Sequence, residues 1–138
     1  ISGPLLDRID LHVEVGRVAL EEIATTALPE RSAAVAARVA EARLLQRRRQ
    51  ARTNARLEGN DLAVQCCADP AALDLLARAM RQLGLSARAY HRVLRVARTI
   101  ADLAGSPGVG AGHVAEAITL RQLDRRAAAS GPGGSVSA

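Results

Sequence analysis

The chain has 138 residues, enough for one domain with tails and too few for two ample cores. Hydrophobic residues make up 49% of it, yet it has no Phe, no Trp and a single Tyr, Tyr90, which argues against an aromatic-rich sandwich and for closely packed helices of Leu, Val, Ile and Ala. The formal charge is +5 and every Lys-or-Arg position is Arg, so anionic partners are admissible, but the sum alone locates no site.

The chain opens without Met on "ISGPLLDRID" and reads as a piece cut from a longer protein. Gly3-Pro4 makes a turn, Leu5 and Leu6 anchor a short element, and Asp7-Arg8 is presented just before "LHVEV". That stretch, Leu11 to Val15, alternates apolar and polar residues and is the only good strand signal. A single strand cannot satisfy its own backbone, so it is expected to be an orphan of a missing sheet or disordered.

A first helix is predicted from about Ser32 to Asn54, with Ser32 as its cap and Val35, Val39 and Ala42 recurring at helical spacing. Arg43, Arg47, Arg48, Arg49, Arg52 and Arg56 spread around most of its wheel. They are expected to be solvated, with DNA-backbone contact as the sharper option. No aromatic platform is available to stack bases. Residues 55–68 give no clear signal. Cys66 and Cys67 are adjacent, without C-x-x-C spacing, and read as idle or buried thiols in a reducing compartment.

The second helix opens at Asp69-Pro70, a cap followed by a proline whose missing N–H costs nothing there. Leu73, Leu76, Ala77, Met80 and Leu83 form its core stripe and Gly84 ends it. The third is capped by Ser86 and stops before Gly105. Its wheel puts Arg88, His91, Arg92, Arg95, Arg98 and Asp102 on one face, expected to point outward as a cationic stripe. Tyr90, Val93, Leu94, Ala97, Ile100, Ala101 and Ala104 form the opposite, apolar face. "SPGVGAG" is a glycine-rich turn and not a phosphate loop, because it lacks the GxxxxGK[ST] frame and the chain has no Lys. A fourth helix is predicted from about Gly112 to Ala127, with Val114, Ala117 and Ile118 inward and Leu120 a further candidate. The glycine- and serine-rich tail, 128–138, is expected to be disordered. No apolar run approaches the ~20 residues needed to cross a bilayer and no signal peptide is visible, so a cytoplasmic setting is expected. His12, His91 and His113 lack metal-ligand spacing, and no metal site is expected.

Two long collinear motifs carry a resemblance. "SGPLLDRIDLHVEV", followed downstream by "LSARAYHRVLRVARTIADLAG" and "HVAEAITLRQLDRR", resembles the C-terminal part of the magnesium-chelatase-like AAA+ ATPases, the YifB/ComM group. The resemblance spans residues 1–126, with more distant kinship to magnesium-chelatase ATPase subunits and MCM-type helicases. It implies an all-α fold, a small four-helix bundle of AAA+ lid type over 31–127, preceded by the end of an AAA+ core over 1–30 and followed by the tail.

The resemblance also implies roles. Arg8, in "LLDRIDL", matches the arginine finger that reaches the nucleotide of a neighbouring subunit. Arg88, in "LSARAY", matches the sensor 2 arginine that approaches the ATP phosphates. Arg92 and Arg95 follow as interface or phosphate support. The full-length protein would use ATP and Mg2+ in a homo-oligomeric ring, a hexamer, whose lid rocks on its own core and touches neighbouring subunits. Such a ring would remodel DNA, as in ComM-like branch migration, with no membrane involved. Walker A, Walker B and sensor 1 are not in the sequence and would lie upstream of Ile1. The piece alone is therefore expected neither to hydrolyse ATP nor to hold it stably. Two alternatives stand beside this reading: a stand-alone nucleic-acid-binding helical module, and the ATPase subunit of a true magnesium chelatase.

Overall fold

A computed structural model describes residues 5, 8–17, 19 and 30–129, with 122–129 as backbone. The fold is all-α. Its elements are α1 (Ser32–Gln50), a 3-10 turn (Asn54–Arg56), α2 (Gly59–Cys66), α3 (Pro70–Leu83), α4 (Ala87–Leu103) and α5 (Ala111–Ala129). Among the described residues there is no strand, and the isolated parallel bridge between Ala68 and Val109 is the β pairing they show. No described helix is long and apolar enough to cross a membrane.

The start and stop signals act as local chemistry dictates. Asp69 Oδ1 accepts from the Ala72 N–H at 2.6 Å, and Pro70 follows at the first helical position. Gly84, at φ 58°, closes α3 in the left-handed conformation. Ser86 Oγ accepts from the Ala89 N–H at 3.2 Å and starts α4.

Helix α4 is the hub. Leu94, Val93, Ala97 and Ala101 are buried with Leu57, Leu62, Cys66, Leu76, Val109, Val114, Ala117 and Ile118, so α2, α3, α5 and the loop before α5 close around it. The small residues let helix axes approach closely, as a core without Phe or Trp requires.

Several expectations need correction. Residues 11–15 form no strand; the segment lies on the helices, with the His12 N–H donating to Leu120 O at 3.1 Å. Arg31, not Ser32, sits at the N-cap of α1, and it makes no side-chain cap bond. Helix α1 ends at Gln50, where Ala51 turns left-handed at φ 58°, four residues before the predicted stop at Asn54. Helix α2 was not predicted: it is 8 residues long, with Leu62 and Cys66 as its buried pair, too few turns to show a period. Val35 and Val39 are exposed and Ala42 is buried, so only the C-terminal half of α1 meets the core. Leu73 and Ala104, both expected inward, are exposed. Helix α5 runs to Ala129, into the first residues of the expected tail, and 130–138 lie outside the described residues.

Candidate functional site

The polar face of α4 winds from solvent into the core. Arg88 is exposed, His91, Arg92 and Arg95 are half-buried, and Arg98 and Asp102 are 0% and 4% exposed. The outward cationic stripe read from the wheel is therefore corrected over its C-terminal half. A helical wheel assigns polar residues to solvent, but α4 is enclosed there by α1, α2 and the loop before α5.

At the outer end, Arg88 lies in the first turn of α4, where backbone N–H groups add positive character. It lines an open cleft of about 280 Å³ with Glu58, Gly59, His91 and Arg95. Among the described residues it makes no hydrogen bond and no ion pair. An apolar pocket of about 210 Å³, whose lining includes Leu62, Leu73, Tyr90 and Leu94, shares Gly59 and His91 with that cleft. The His91 ring meets Tyr90 edge-on at 5.6 Å.

The next turns of α4 are committed to the protein itself. Arg92 Nε pairs with Asp10 Oδ1 at 3.4 Å, which ties the segment carrying Arg8 to α4. Arg95 Nη1 donates to Leu57 O at 2.9 Å, holding the chain between the 3-10 turn and α2. Arg8 is exposed in a turn whose N–H donates to Leu5 O at 3.1 Å. Asp7, its predicted companion, lies outside the described residues. The structure thus links the Arg8 segment to the helix bearing Arg88 through Asp10 and Arg92.

The inner end holds a network that the sequence reading missed. Arg98 places all its N–H groups: Nε and Nη2 on Asp102 Oδ1 at 3.1 and 2.8 Å, Nη2 also on Ser106 O at 2.8 Å, and Nη1 on Pro107 O at 3.0 Å and Cys66 O at 3.2 Å. Arg49 forks onto the same carboxylate, Nη1 to Oδ1 at 2.7 Å and Nη2 to Oδ2 at 3.0 Å. Asn54 donates to Asp102 Oδ2 at 2.8 Å and to Thr99 Oγ1 at 3.1 Å, and its N–H reaches Gln46 Oε1 at 2.9 Å. Arg49, expected as one of a solvated run, is thus half-buried and paired, whereas Arg47 and Arg48 are exposed. Burial would raise the Asp102 pKa, but hydrogen bonds from Arg49 and Asn54 and the charges of Arg98 and Arg49 outweigh it and hold the carboxyl below its usual range. A sequence signal did exist: Arg98 and Asp102 stand at i, i+4, each preceded by a small residue, Ala97 and Ala101, that lets neighbours close in.

The paired thiols differ. Cys66 is buried and its pKa is pushed up to about 11, chiefly by burial. Cys67 is exposed at φ 43° and caps α2. Among the described residues no group of three or more His, Cys, Asp or Glu gathers as a metal site. The glycine-rich loop is structural: the Asp69 N–H donates to Val109 O at 3.0 Å and the Val109 N–H to Cys66 O at 3.2 Å.

The chain is thus a helical bundle built around α4, with Arg88 exposed at the start of that helix. The chain belongs to the family of the magnesium chelatase subunit ChlI C-terminal domain, which matches residues 29–121. It is 39% identical over 126 residues to the competence protein ComM of Haemophilus influenzae, an alignment covering 91% of this chain and 25% of that protein. It is 40% identical over 126 residues to YifB of Salmonella typhimurium and 39% identical to YifB of Escherichia coli, with the same coverage. The chain spans about a quarter of the length of these relatives.

Proposed function

We propose that this domain is the helical lid of a magnesium-chelatase-like AAA+ ATPase and that it brings Arg88 to the phosphates of ATP as sensor 2. The observation that carries the reading is the contrast along α4. Arg92, Arg95 and Arg98 are each bound within this chain, Arg92 to Asp10 of the segment before the bundle, while Arg88 is exposed, unpaired among the described residues and set in a first helical turn beside an open cleft. An arginine so placed suits an anion supplied from outside the domain. ATP would meet Arg88 through its phosphates, and the bound nucleotide would supply the phosphoryl group to be transferred. For Mg2+ the described residues offer no cluster of ligands, so its ligands would come from elsewhere in the longer protein.

Arg8 is proposed as the finger acting on a neighbouring subunit's nucleotide, where its charge would stabilise the transition state. Its exposure and the tie from Asp10 to Arg92 support a presented, anchored arginine. The proposal extends to a cytoplasmic homo-hexameric ring acting on DNA. The name of the Haemophilus relative, a competence protein, supports the latter part, and the description of the family, magnesium chelatase, supports the alternative of a metal-chelating complex.

The test is turnover in a full-length protein carrying this domain. Arg8→Ala and Arg88→Ala should each lower ATPase kcat by about 10³-fold or more if they contact transition-state charge, with the helical circular dichroism of the isolated chain unchanged. Full activity in both variants would overturn the assignment. The isolated chain should bind DNA weakly. Tight binding, with log affinity falling steeply against log salt, would favour the stand-alone nucleic-acid module instead.

A further inference from the structure

Helix α1 buries few side chains against the rest of the domain, and the hydrogen bonds that join it there gather at its C-terminal end. Residues 31–41 are all exposed, and the buried residues of α1 are Ala42 and Gln46, followed by the half-buried Arg49. Ala42 is the fully buried apolar side chain of α1 and contributes about 0.8 kcal/mol per CH2-sized group, with Leu44 and Leu45 only partly covered. The direction of α1 is set instead by directional bonds: Gln46 to the Asn54 N–H, and the Arg49 fork to Asp102. Asp102 is itself fixed on α4 by Arg98 and by Asn54, and Thr99 Oγ1 accepts from Asn54. Gln50 Nε2 closes the ring of contacts on Asn54 Oδ1 at 2.9 Å.

Such a network is a poor device for stability. Replacing a buried ion pair by well-packed apolar residues is often neutral or stabilising. What a fork and its satisfied partners do provide is one geometry, because each bond has an angle as well as a distance. Helix α4 then carries that geometry outward. Asp102 and Arg88 are fourteen positions apart on it, about 21 Å at 1.5 Å per residue, so a tilt of α4 relative to α1 displaces Arg88.

We propose that Arg49 and Asp102 are positioning residues for Arg88: their fork locks the direction of α1 to that of α4, so that a movement arriving along α1 is delivered to Arg88. The role for Arg88 rests on the sensor 2 reading; the lock itself does not.

The lock is measured in this chain by the separation of two spin labels, at Arg43→Cys on the core-bound half of α1 and Ala87→Cys on α4, both exposed positions. Cys67→Ser removes the exposed thiol, and Cys66 is buried with its pKa near 11, so it takes up no label. The parent should give one narrow distance distribution. Arg49→Gln should broaden it at least two-fold with helix content unchanged. If Arg49→Gln fails to fold, Arg49→Lys carries the measurement, because it keeps the charge and cannot make the fork.

In a full-length protein, Arg49→Gln should lower ATPase kcat by roughly 10- to 100-fold, the scale of a displaced positioning group, with KM for ATP little changed. It should add nothing further to Arg88→Ala, as two residues acting through one contact are non-additive. A separation as narrow in the Arg49 variants as in the parent overturns the lock whatever the turnover shows. An additive loss in the double variant overturns the link to Arg88. Turnover indifferent to Arg88→Ala sinks the sensor reading and leaves the lock to be judged by the labels alone.

Discussion

Arg98 and Asp102 place a charged pair where a small domain can least tolerate an unsatisfied group. Every N–H of Arg98 has an acceptor, and Asp102 takes bonds from Arg49, Arg98 and Asn54 on its two oxygens. Breaking such a pair by removing one partner costs far more than the pair is worth, because a charge is left buried and unmatched. Asp102→Asn should therefore lower the stability of this chain by about 3–5 kcal/mol, read from its urea midpoint at neutral pH. The pH dependence has a definite sign. A carboxyl held below its usual range in the folded state contributes stability that is present above that range and is lost as pH falls through the lowered value. Asp102→Asn should accordingly remove part of the acid-induced loss of stability, so that the variant and parent curves converge towards low pH. Curves that stay parallel down the acid limb would show that the carboxylate is not preferentially stabilised by folding.

At the scale of elements, the loop between α4 and α5 behaves as part of the core. Gly108 approaches the backbone so closely that an added Cβ would lie 2.8 Å from Cys67 O. That oxygen belongs to main chain held on both sides, by Cys66 O to Val109 and by Val109 O to Asp69. Gly108→Ala should cost about 1–3 kcal/mol, the range of an overpacked site. Gly112, with nothing within 4 Å and a place in the first turns of α5, should accept Ala without loss. Chemical denaturation of both variants provides the check. The elements themselves were legible wherever the signal was local. Asp69-Pro70, Gly84 and Ser86 bounded α3 and α4 because a cap acts within four residues of itself. Helix α2 was illegible because a short helix offers no period, and the burial of Arg98 because it depends on Arg49 and Asn54, which lie 53 and 48 positions from Asp102 in the chain. Of the proposed functional residues, the motifs named Arg8 and Arg88. The sequence could not tell a stripe of arginines directed at an outside anion from one whose members are, turn by turn, taken up by the protein.

As a whole, the described part of the molecule is a helical bundle with a projecting helix end that can act as a lever. From Ala42 onward, α1 belongs to the core assembly; before it, residues 31–41 have no buried side chain, although Val35 and Val39 continue the inward face. Segments with so few tertiary contacts open at little free-energy cost even while the core stays closed. Trypsin should read that difference directly. In the isolated chain the bonds after Arg31 and Arg38 should be cut early, and the bond after Arg98 should survive until global unfolding. Slower cleavage at Arg31 and Arg38 in a longer protein would map, bond by bond, where the remainder of that polypeptide lies along the lever.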